Sequence, residues 1–481
     1  MRLAPSADVA VIGAGAMGAG IAQVAAQAGH RVRLFDTRMG VADAAKQQIA
    51  EALRKLAAKG KIDPAEAEAA AARIVPVHAL GDLVTAKLVV EAIVEDLEVK
   101  RKTLRELEVV VDADAVLASN TSSFSITALA AGMKHPGRIA GMHFFNPAPI
   151  LPLVEVVSGL ATDPAVAALV YDTAKAWGKT PVHAKSTPGF IVNRCARPFY
   201  GEALRLLFEN AADAATLDAV MREAGGFRMG PFELMDMIGL DINYAVTRSV
   251  WEAYFHDPRY APSILQSELV AAGFLGRKSG RGFYDHAPGA AKPVPATEAP
   301  RQGPAIPDLR ARLAASQRIE AGTATLVATD GRTATVIAAE LGHRDVVVYD
   351  LALDYATCTR LSVARTEGCS EAAYASAVGA LQAAGIAVSR LQDVAGLAVM
   401  RTVAMLANES ADAVNQGIAS ARDVDLAMRN GVNYPRGPLA WADAIGVARV
   451  RTVLANLLAQ CGDPRYRTSP LMARQERLAH D

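Results

Sequence analysis

The chain has 481 residues, is 51% hydrophobic and 21% charged, and balances 50 lysines and arginines against 50 aspartates and glutamates. That length exceeds one core and implies about two to four domains, and the zero net charge argues against a general nucleic-acid binder. No apolar run approaches the ~20 residues of a membrane span. Four scattered cysteines (Cys195, Cys358, Cys369, Cys461) lack any C-x-x-C or metal spacing and read as reduced thiols. The first strand pattern begins within about eight residues, which leaves no room for a signal peptide. A cytoplasmic globular protein is expected, with no resident metal.

The first elements are the most informative. A short apolar strand from Val9 runs into Gly13, Gly15 and Gly18 in the pattern G-x-G-x-x-G; a helical run follows, then a second strand ending in Asp36. Gly13 permits a tight turn, Gly15 lets a pyrophosphate approach the backbone, and Gly18 lets the helix pack on the strand. The amides of Ala16 and Met17 belong to the helix N-terminus, which offers free N–H groups and a positive dipole end to phosphates. Asp36 lies 18 residues after Gly18, near the spacing for an acid that accepts bonds from the adenosine ribose. Such an acid repels a 2′-phosphate, so NAD is expected rather than NADP; Arg38 is the counterweight. A plain glycine turn is the alternative reading.

From about Val41 to Arg73 an Ala/Lys/Arg/Glu stretch, broken at Gly60 and Asp63-Pro64, predicts two antiparallel helices. Strands are predicted at Ile74–Val77, Leu88–Val94, Val116–Ser119, Ile139–Phe145 and Leu153–Val157. This alternation over the first 185 residues implies a mostly parallel sheet. From Pro188 to about Gly276 the pattern is nearly all helical. Six prolines between 287 and 308 mark an extended linker.

Beyond the linker the chain repeats itself. Gly189-Phe-Ile-Val-Asn-Arg194 resembles Gly396-Leu-Ala-Val-Met-Arg401, and Glu202, Asp218, Gly230-Pro231 and Gly239 recur at Glu409, Asp425, Gly437-Pro438 and Gly446, every pair 207 residues apart. A constant offset over about 50 residues means a duplicated helical domain. The intervening 322–390 region reads as a worn nucleotide fold. Ala324–Thr329 would be its first strand, Gly331 the remnant of its turn, Arg332–Leu341 its helix, and Val346–Asp350 the strand ending in an acid. Without the glycine pattern it should bind no dinucleotide. The predicted fold class is therefore an α/β Rossmann-type N-terminal domain (1–186), an all-α domain (187–286), a Pro-rich linker (287–308), a degenerate Rossmann-like segment (309–390) and a second all-α copy (391–481). The second helical copy is expected to pack on the first in cis, in the place of a partner.

Three groups of residues suit chemistry. His143 ends an apolar strand that should open toward the cofactor, because ligands bind beyond the carboxyl ends of such strands. Glu155 lies 12 residues later on a strand otherwise of Leu and Val, and Pro147, Pro149 and Pro152 turn the chain between them. A carboxylate on one imidazole nitrogen fixes the tautomer and raises the basicity of the other, as a general base requires; a structural core pair is the alternative. Ser119-Asn-Thr-Ser122-Ser123 follows another apolar strand and suits a hydroxyl or carbonyl substrate, or caps a helix. Asn193 could bond a substrate oxygen or cap a turn; the repeat has Met400 there, which favours function.

Together these segments resemble the L-3-hydroxyacyl-CoA dehydrogenase family. The likeness rests on the glycine loop, Val90-Glu-Ala-Ile-Val-Glu95, Ala118-Ser-Asn-Thr-Ser-Ser123, Gly141-Met-His-Phe-Phe-Asn-Pro147, Leu153-Val-Glu-Val-Val157, Thr187-Pro-Gly-Phe-Ile-Val-Asn-Arg194, Gly230-Pro-Phe-Glu-Leu234 and Gly276-Arg-Lys-Ser-Gly-Arg-Gly-Phe-Tyr284. The duplicated layout is similar to the long bacterial members. The resemblance implies NAD-dependent oxidation of a 3-hydroxyacyl-CoA, with His143 as base, Glu155 orienting it, and Ser122 and Asn193 positioning the substrate. It implies cofactor contacts at Glu95, Lys100, Asn146 and Lys278, and coenzyme A contact at Lys59, where Lys55 or Lys61 would help; Ala52 stands where the family has a serine. The implied substrate is 3-hydroxyadipyl-CoA, as in phenylacetate breakdown, or 3-hydroxybutyryl-CoA. A dehydrogenase of free β-hydroxyacids, which would use a lysine base, and a non-catalytic NAD-binding protein are the rival readings. Homo-oligomerisation is left open.

Overall fold

A computed structural model describes residues 2–479; the extreme ends of the first and last predicted domains lie outside the described residues. The chain divides into two compact units, Met1–Val192 with Gly417–Val432, and Asn193–Gln416 with Asn433–Asp481.

The first unit alternates strand and helix: β1 (Asp8–Ile12), α1 (Ala16–Gln27), β2 (Val32–Phe35), α2 (Val41–Ala58), α3 (Pro64–Arg73), β3 (Ile74–Val77), β4 (Ala86–Glu91), α4 (Leu97–Val110), β5 (Val116–Ser119), α5 (Ile126–Ala130), β6 (Ile139–Phe144), β7 (Leu153–Ser158), α6 (Pro164–Ala176) and β8 (Thr180–Lys185). The eight strands form one sheet in the order 3-2-1-4-5-6-7-8, parallel except where β6 meets β7. Strands buried on both faces need continuous apolar runs, and Val9, Val11, Leu88, Val90, Ala118 and Met142 are fully buried. The predicted helical pair is α2 and α3. Gly60 leaves the first in the left-handed region at φ +68, and the Asp63 carboxylate caps the second through the Ala65 amide at 2.8 Å. The predicted strand 88–94 begins earlier and stops at Glu91, because Asp96 caps α4 through Val99 N at 2.9 Å and the chain must turn before it. One further helix, Ala421–Gly431, belongs to this unit and packs on β7 and β8.

The remaining elements are α7 (Val192–Cys195), α8 (Arg197–Phe208), α9 (Ala214–Glu223), α10 (Pro231–Ile238), α11 (Leu240–Ala253), α12 (Ile264–Ala271), α13 (Leu309–Ala315), β9 (Arg318–Ala321), β10 (Ala324–Ala328), α14 (Ala334–Leu341), β11 (Val346–Tyr349), β12 (Arg360–Arg365), α15 (Glu371–Ala383), β13 (Ala387–Arg390), α16 (Val399–Asn415), α17 (Ala421–Gly431), α18 (Pro438–Ile445), α19 (Val447–Cys461) and α20 (Pro470–Arg474). The proline-rich stretch is extended, but it does not hang free: Glu298 N bonds Val388 O at 2.8 Å, Ala296 N bonds Thr216 Oγ1 at 2.8 Å, and Arg301 N bonds Gln382 Oε1 at 2.8 Å.

The second sheet, in the order 13-12-11-10-9, corrects one expectation. Ala324–Thr329 and Val346–Asp350 are not worn copies of β1 and β2. The strand β11 is antiparallel to β12, and β12 is parallel to β13, which repeats the β6–β7–β8 pattern. The elements β6, β7, α6 and β8 start at 139, 153, 164 and 180, and β11, β12, α15 and β13 start at 346, 360, 371 and 387. The 207-residue offset therefore runs back through half of the nucleotide fold, and the half bearing the glycine turn has no counterpart. Asp350 corresponds to His143, not to Asp36, and Gly331 is no relic of a phosphate loop.

In the second unit the two helical copies pair reciprocally, α8 against α16. Arg194 Nε donates to Glu409 at 2.5 Å, and Arg401 Nε donates to Glu202 at 2.8 Å; the tyrosines follow suit, Tyr260 to Glu409 at 2.6 Å and Tyr466 to Glu202 at 2.9 Å. Each contact is the other with the copies exchanged, which is the signature of an isologous interface. Here one chain supplies both sides.

Candidate active site

The site forms at the carboxyl edge of the first sheet, where β1, β4, β5 and β6 all end in the same direction. The turn after β1 fits a dinucleotide. Gly13 has φ +95, and a Cβ there would meet the Ala92 carbonyl oxygen at 2.5 Å; a Cβ on Gly18 would strike the Gly13 carbonyl, while Gly15 has open space around it. A pyrophosphate needs such an uncovered backbone. The Asp36 carboxylate crosses back to accept from Ala14 N at 2.9 Å, and also from Arg38 N at 3.0 Å and Arg38 Nε at 3.1 Å. Burial opposes its ionisation, but the bonds from Arg38 and from the Ala14 and Arg38 amides outweigh burial and hold its pKa below the usual carboxylate range. Arg38 is thus tied to the acid it was weighed against.

Beyond β4 and β5 lies a buried polar network. Lys100, 1% exposed, donates to Glu91 at 2.7 Å and lies 3.1 Å from Glu95; Ser119 Oγ donates to Glu91 at 2.6 Å. Glu95 accepts from Thr121 Oγ1 at 2.6 Å, Ser122 N at 3.1 Å and Ser123 Oγ at 2.9 Å. Burial works against the Glu95 charge, yet Lys100, Thr121 and Ser123 hold its pKa below normal. Lys100 and Glu95 therefore shape the loop that carries Ser122. Sequence reading gave Glu91 no role and placed Asn120 only within the polar stretch 119–123. Asn120 Oδ1 accepts from Phe144 N at 2.8 Å and so pins the strand end beside His143. A charged residue inside the apolar run Leu88–Val94 was the available signal for Glu91; nothing local distinguished Asn120.

His143 and Glu155 are direct cross-strand neighbours on β6 and β7, with Nδ1 and Oε2 2.7 Å apart. The other Glu155 oxygen accepts from Ile191 N at 3.0 Å and Val192 N at 2.9 Å, so the carboxylate is held on both sides and fully buried. A carboxylate only accepts, so Nδ1 carries the proton and Nε2 is left with its lone pair. The Phe145 and Phe190 rings flank the imidazole at 4.5 and 5.8 Å. Three strand steps of about 4.8 Å each separate β6 from the glycine turn, a span within reach of an extended dinucleotide.

The other expected residues are spread. Asn146 is exposed just past β6, and Lys59 is exposed at the end of α2. Asn193 is half-buried at the start of the helical segment, and Lys278 donates to Asp241 at 2.7 Å. In the second copy Asp350 and Ser362 take the His143 and Glu155 positions. The Ser362 hydroxyl donates to Asp350 at 2.7 Å, and Asp350 now accepts from the Ala398, Val399 and Met400 amides at 2.8–3.0 Å. The acid still anchors the helix start, but no imidazole remains. Among the described residues no cluster of His, Cys, Asp or Glu could hold a metal ion, and no helix is long and apolar enough to cross a membrane.

A dinucleotide cradle on the same sheet edge as a carboxylate-held imidazole defines an NAD-dependent dehydrogenase. Residues 8–187 match the NAD binding domain of 3-hydroxyacyl-CoA dehydrogenase, 189–286 and 396–478 match its C-terminal domain, and 326–394 match the 3-hydroxybutyryl-CoA dehydrogenase reduced Rossmann-fold domain. The chain belongs to the 3-hydroxyacyl-CoA dehydrogenase family. It is 42% identical over 98% of its length to the 3-hydroxyadipyl-CoA dehydrogenase of Escherichia coli K12, 97% of which is covered. A crystal structure of 3-hydroxybutyryl-CoA dehydrogenase from Escherichia coli K12 superposes with a TM-score of 0.91 at 42% identity, covering 98% of both chains. Human mitochondrial hydroxyacyl-coenzyme A dehydrogenase is 40% identical, covering 58% of this chain and 90% of that protein. The chain is an oxidoreductase that acts on 3-hydroxyacyl-CoA with NAD.

Proposed function

We propose that the substrate is 3-hydroxyadipyl-CoA, oxidised at C3 to the 3-keto thioester in the cytoplasm, with 3-hydroxybutyryl-CoA as the alternative. Near full-length similarity to a relative of the first name supports this reading of the acyl group. The observation that carries the chemistry is the 2.7 Å His143–Glu155 contact, with the second carboxylate oxygen locked by two amides. His143 Nε2 takes the proton of the 3-hydroxyl, and Glu155 stabilises the imidazolium that forms. NAD, which the glycine turn and Asp36 would hold, would supply the hydride acceptor for C3. Ser122 and Asn193 hold the substrate oxygens, and positioning of this kind supplies several kcal/mol of barrier reduction. Gly13, Gly15, Ala16, Met17 and Gly18 seat the pyrophosphate and Asp36 the adenosine ribose. Glu95, Lys100, Asn146 and Lys278 complete the cofactor side, and Lys59 meets coenzyme A.

This reading assigns NAD binding to 1–186, substrate handling to 187–286, a linker at 287–308, a reduced fold at 309–390 and a second helical copy at 391–481. That second copy takes a partner subunit's place. Deleting residues 310–481 should expose apolar surface and cause aggregation or loss of activity; a truncated chain that remained a soluble, fully active monomer would remove the idea.

NADH formation followed by absorbance should be faster per substrate on 3-hydroxyadipyl-CoA than on 3-hydroxybutyryl-CoA, and negligible on the free acids. Asp36→Ala should weaken NAD binding about tenfold or more, because bonds to a charged group are worth about 1.5–3 kcal/mol. A fluorescence titration giving an unchanged Kd would clear Asp36 of that role. Glu155→Gln should lower kcat; a variant with wild-type kcat would leave the histidine unassisted.

A further inference from the structure

We infer that Arg197 is the specificity-determining residue for a dicarboxylic acyl chain, receiving the carboxylate at the far end of the substrate. The inference rests on the reading that Asn193 positions the 3-oxygen. Several arginines of the helical unit are already neutralised. Arg194 and Arg259 hold Glu409, while Arg205 and Arg465 hold Asp463. Arg228 is exposed and meets Asn433 at 3.3 Å. Arg197 differs. It is 6% exposed, and among the described residues no carboxylate pairs with it. Its Nε donates to the Asn193 carbonyl at 2.8 Å, its Nη1 donates to Thr247 Oγ1 at 3.0 Å, and its guanidinium lies 4.9 Å over the Tyr200 ring. These partners are all neutral. Burying a cation without a counter-charge is unfavourable, and burial accordingly pushes the Arg197 pKa down. The side chain also lines a cavity of about 270 Å³ with Tyr200, Thr247, Tyr260, Gln266 and Met405, and the two carboxylates on its wall, Glu202 and Glu209, are both held by Arg401.

The duplication separates architecture from function here. Arg194 and Glu202, which join the two copies, recur as Arg401 and Glu409. Asn193, Arg197, Tyr200 and Thr247 are replaced by Met400, Ala404, Ala407 and Leu454. The helix α16 forms without an arginine at 404, so Arg197 is not required to build this segment. The group survives only in the copy whose sheet keeps the imidazole. Distance agrees as well. Asn193 lies in α7 and Arg197 opens α8, but the 2.8 Å bond from Arg197 Nε to the Asn193 carbonyl spans the junction as a helical turn would, where residues four apart lie roughly 5–6 Å apart at Cβ; in a six-carbon diacid C3 and the terminal carboxyl carbon are joined by three bonds of about 1.5 Å each. A substrate oxygen on Asn193 thus leaves the distal carboxylate one turn away, at a planar fork suited to it.

The test compares full-length wild type, Arg197→Gln and Arg197→Lys on 3-hydroxyadipyl-CoA and on 3-hydroxyhexanoyl-CoA, which has a methyl in place of the carboxylate. Glutamine keeps bonding groups near Asn193 and Thr247 but removes the charge. The expected result is a drop in the adipyl-to-hexanoyl ratio of kcat/KM on the order of 100-fold for Arg197→Gln, mostly in KM, with the preference partly rescued by Arg197→Lys. Equal losses on both substrates, or a retained ratio, would overturn the assignment of Arg197 while leaving the substrate reading intact. Should the glutamine variant fail to fold, the lysine variant decides, since losing the preference with the cation present overturns the assignment. A wild type indifferent to the carboxylate would instead sink the dicarboxylic reading itself.

Discussion

Replacing His143 with glutamine should lower kcat by about 10²–10⁴-fold, the range for losing a general base, while NAD binding stays within twofold. The asymmetry follows from where the residue sits. The glycine turn and Asp36 lie at β1, and the imidazole lies three strands away on β6. Glutamine fills similar space between Phe145 and Phe190 and can still bond Glu155, so the fold survives and only the proton acceptor is lost. Steady-state NADH formation and a separate NAD titration measure the two quantities. A His143→Gln variant with near-normal turnover would show that another group takes the proton.

The second large effect is on stability. Glu409→Gln should cost about 3–5 kcal/mol, the usual result of removing one partner from a buried charge cluster. Glu409 is fully buried and serves Arg194, Arg259 and Tyr260 at once. Removing its charge leaves Arg194 with the neutral Gln416, at 2.8 Å, and the Tyr254 ring, and Arg259 with Asp412. The mirror change, Glu202→Gln, should cost less, because Arg401 keeps a bidentate pair with Glu209 at 2.7 and 2.8 Å. Urea unfolding of the full chain, read at the transition of the helical unit, measures both. Equal midpoints for wild type and Glu409→Gln would refute the argument. The pH dependence has a definite sign. Burial raises the Glu409 pKa, but Arg194 and Arg259 outweigh burial, and the folded value is depressed. Its contribution is therefore present above the unfolded value of about 4.3 and lost as pH falls through the folded value. The glutamine variant should lack that loss.

Much of this was legible in the chain. Gly13, Gly15, Gly18 and Asp36 specify a local structure, since turn, helix start and acid lie within one supersecondary unit. His143 and Glu155 were legible as a pair because only 12 residues and three prolines separate them, and a hairpin is the short way to join two apolar strands. Glu91 and Asn120 were not legible. Their roles depend on neighbours 9 to 28 residues away, on the helix α4 and on other strands, which no local pattern encodes. The 322–390 region was misaligned for a related reason. A strand, a turn and a strand ending in an acid look alike wherever they occur in a Rossmann sheet; only antiparallel pairing of β11 with β12 shows which part of the fold remains.

Sequence alone determined the glycine turn with its acid, the pairing of His143 with Glu155 and the duplication, because each is written in residue types at fixed spacing, and backbone sterics and strand alternation act over short distances. Tertiary structure decided which charged residues are already spent. In the sequence, Arg194, Arg197 and Arg228 are three basic residues of one helical stretch that nothing local tells apart. The fold seals the first against a buried acid, leaves the third at the surface, and buries the second beside neutral partners only. That distinction arises from desolvation and from contacts across more than 200 residues of chain, as between Arg194 and Glu409, and both come into being only when the elements pack.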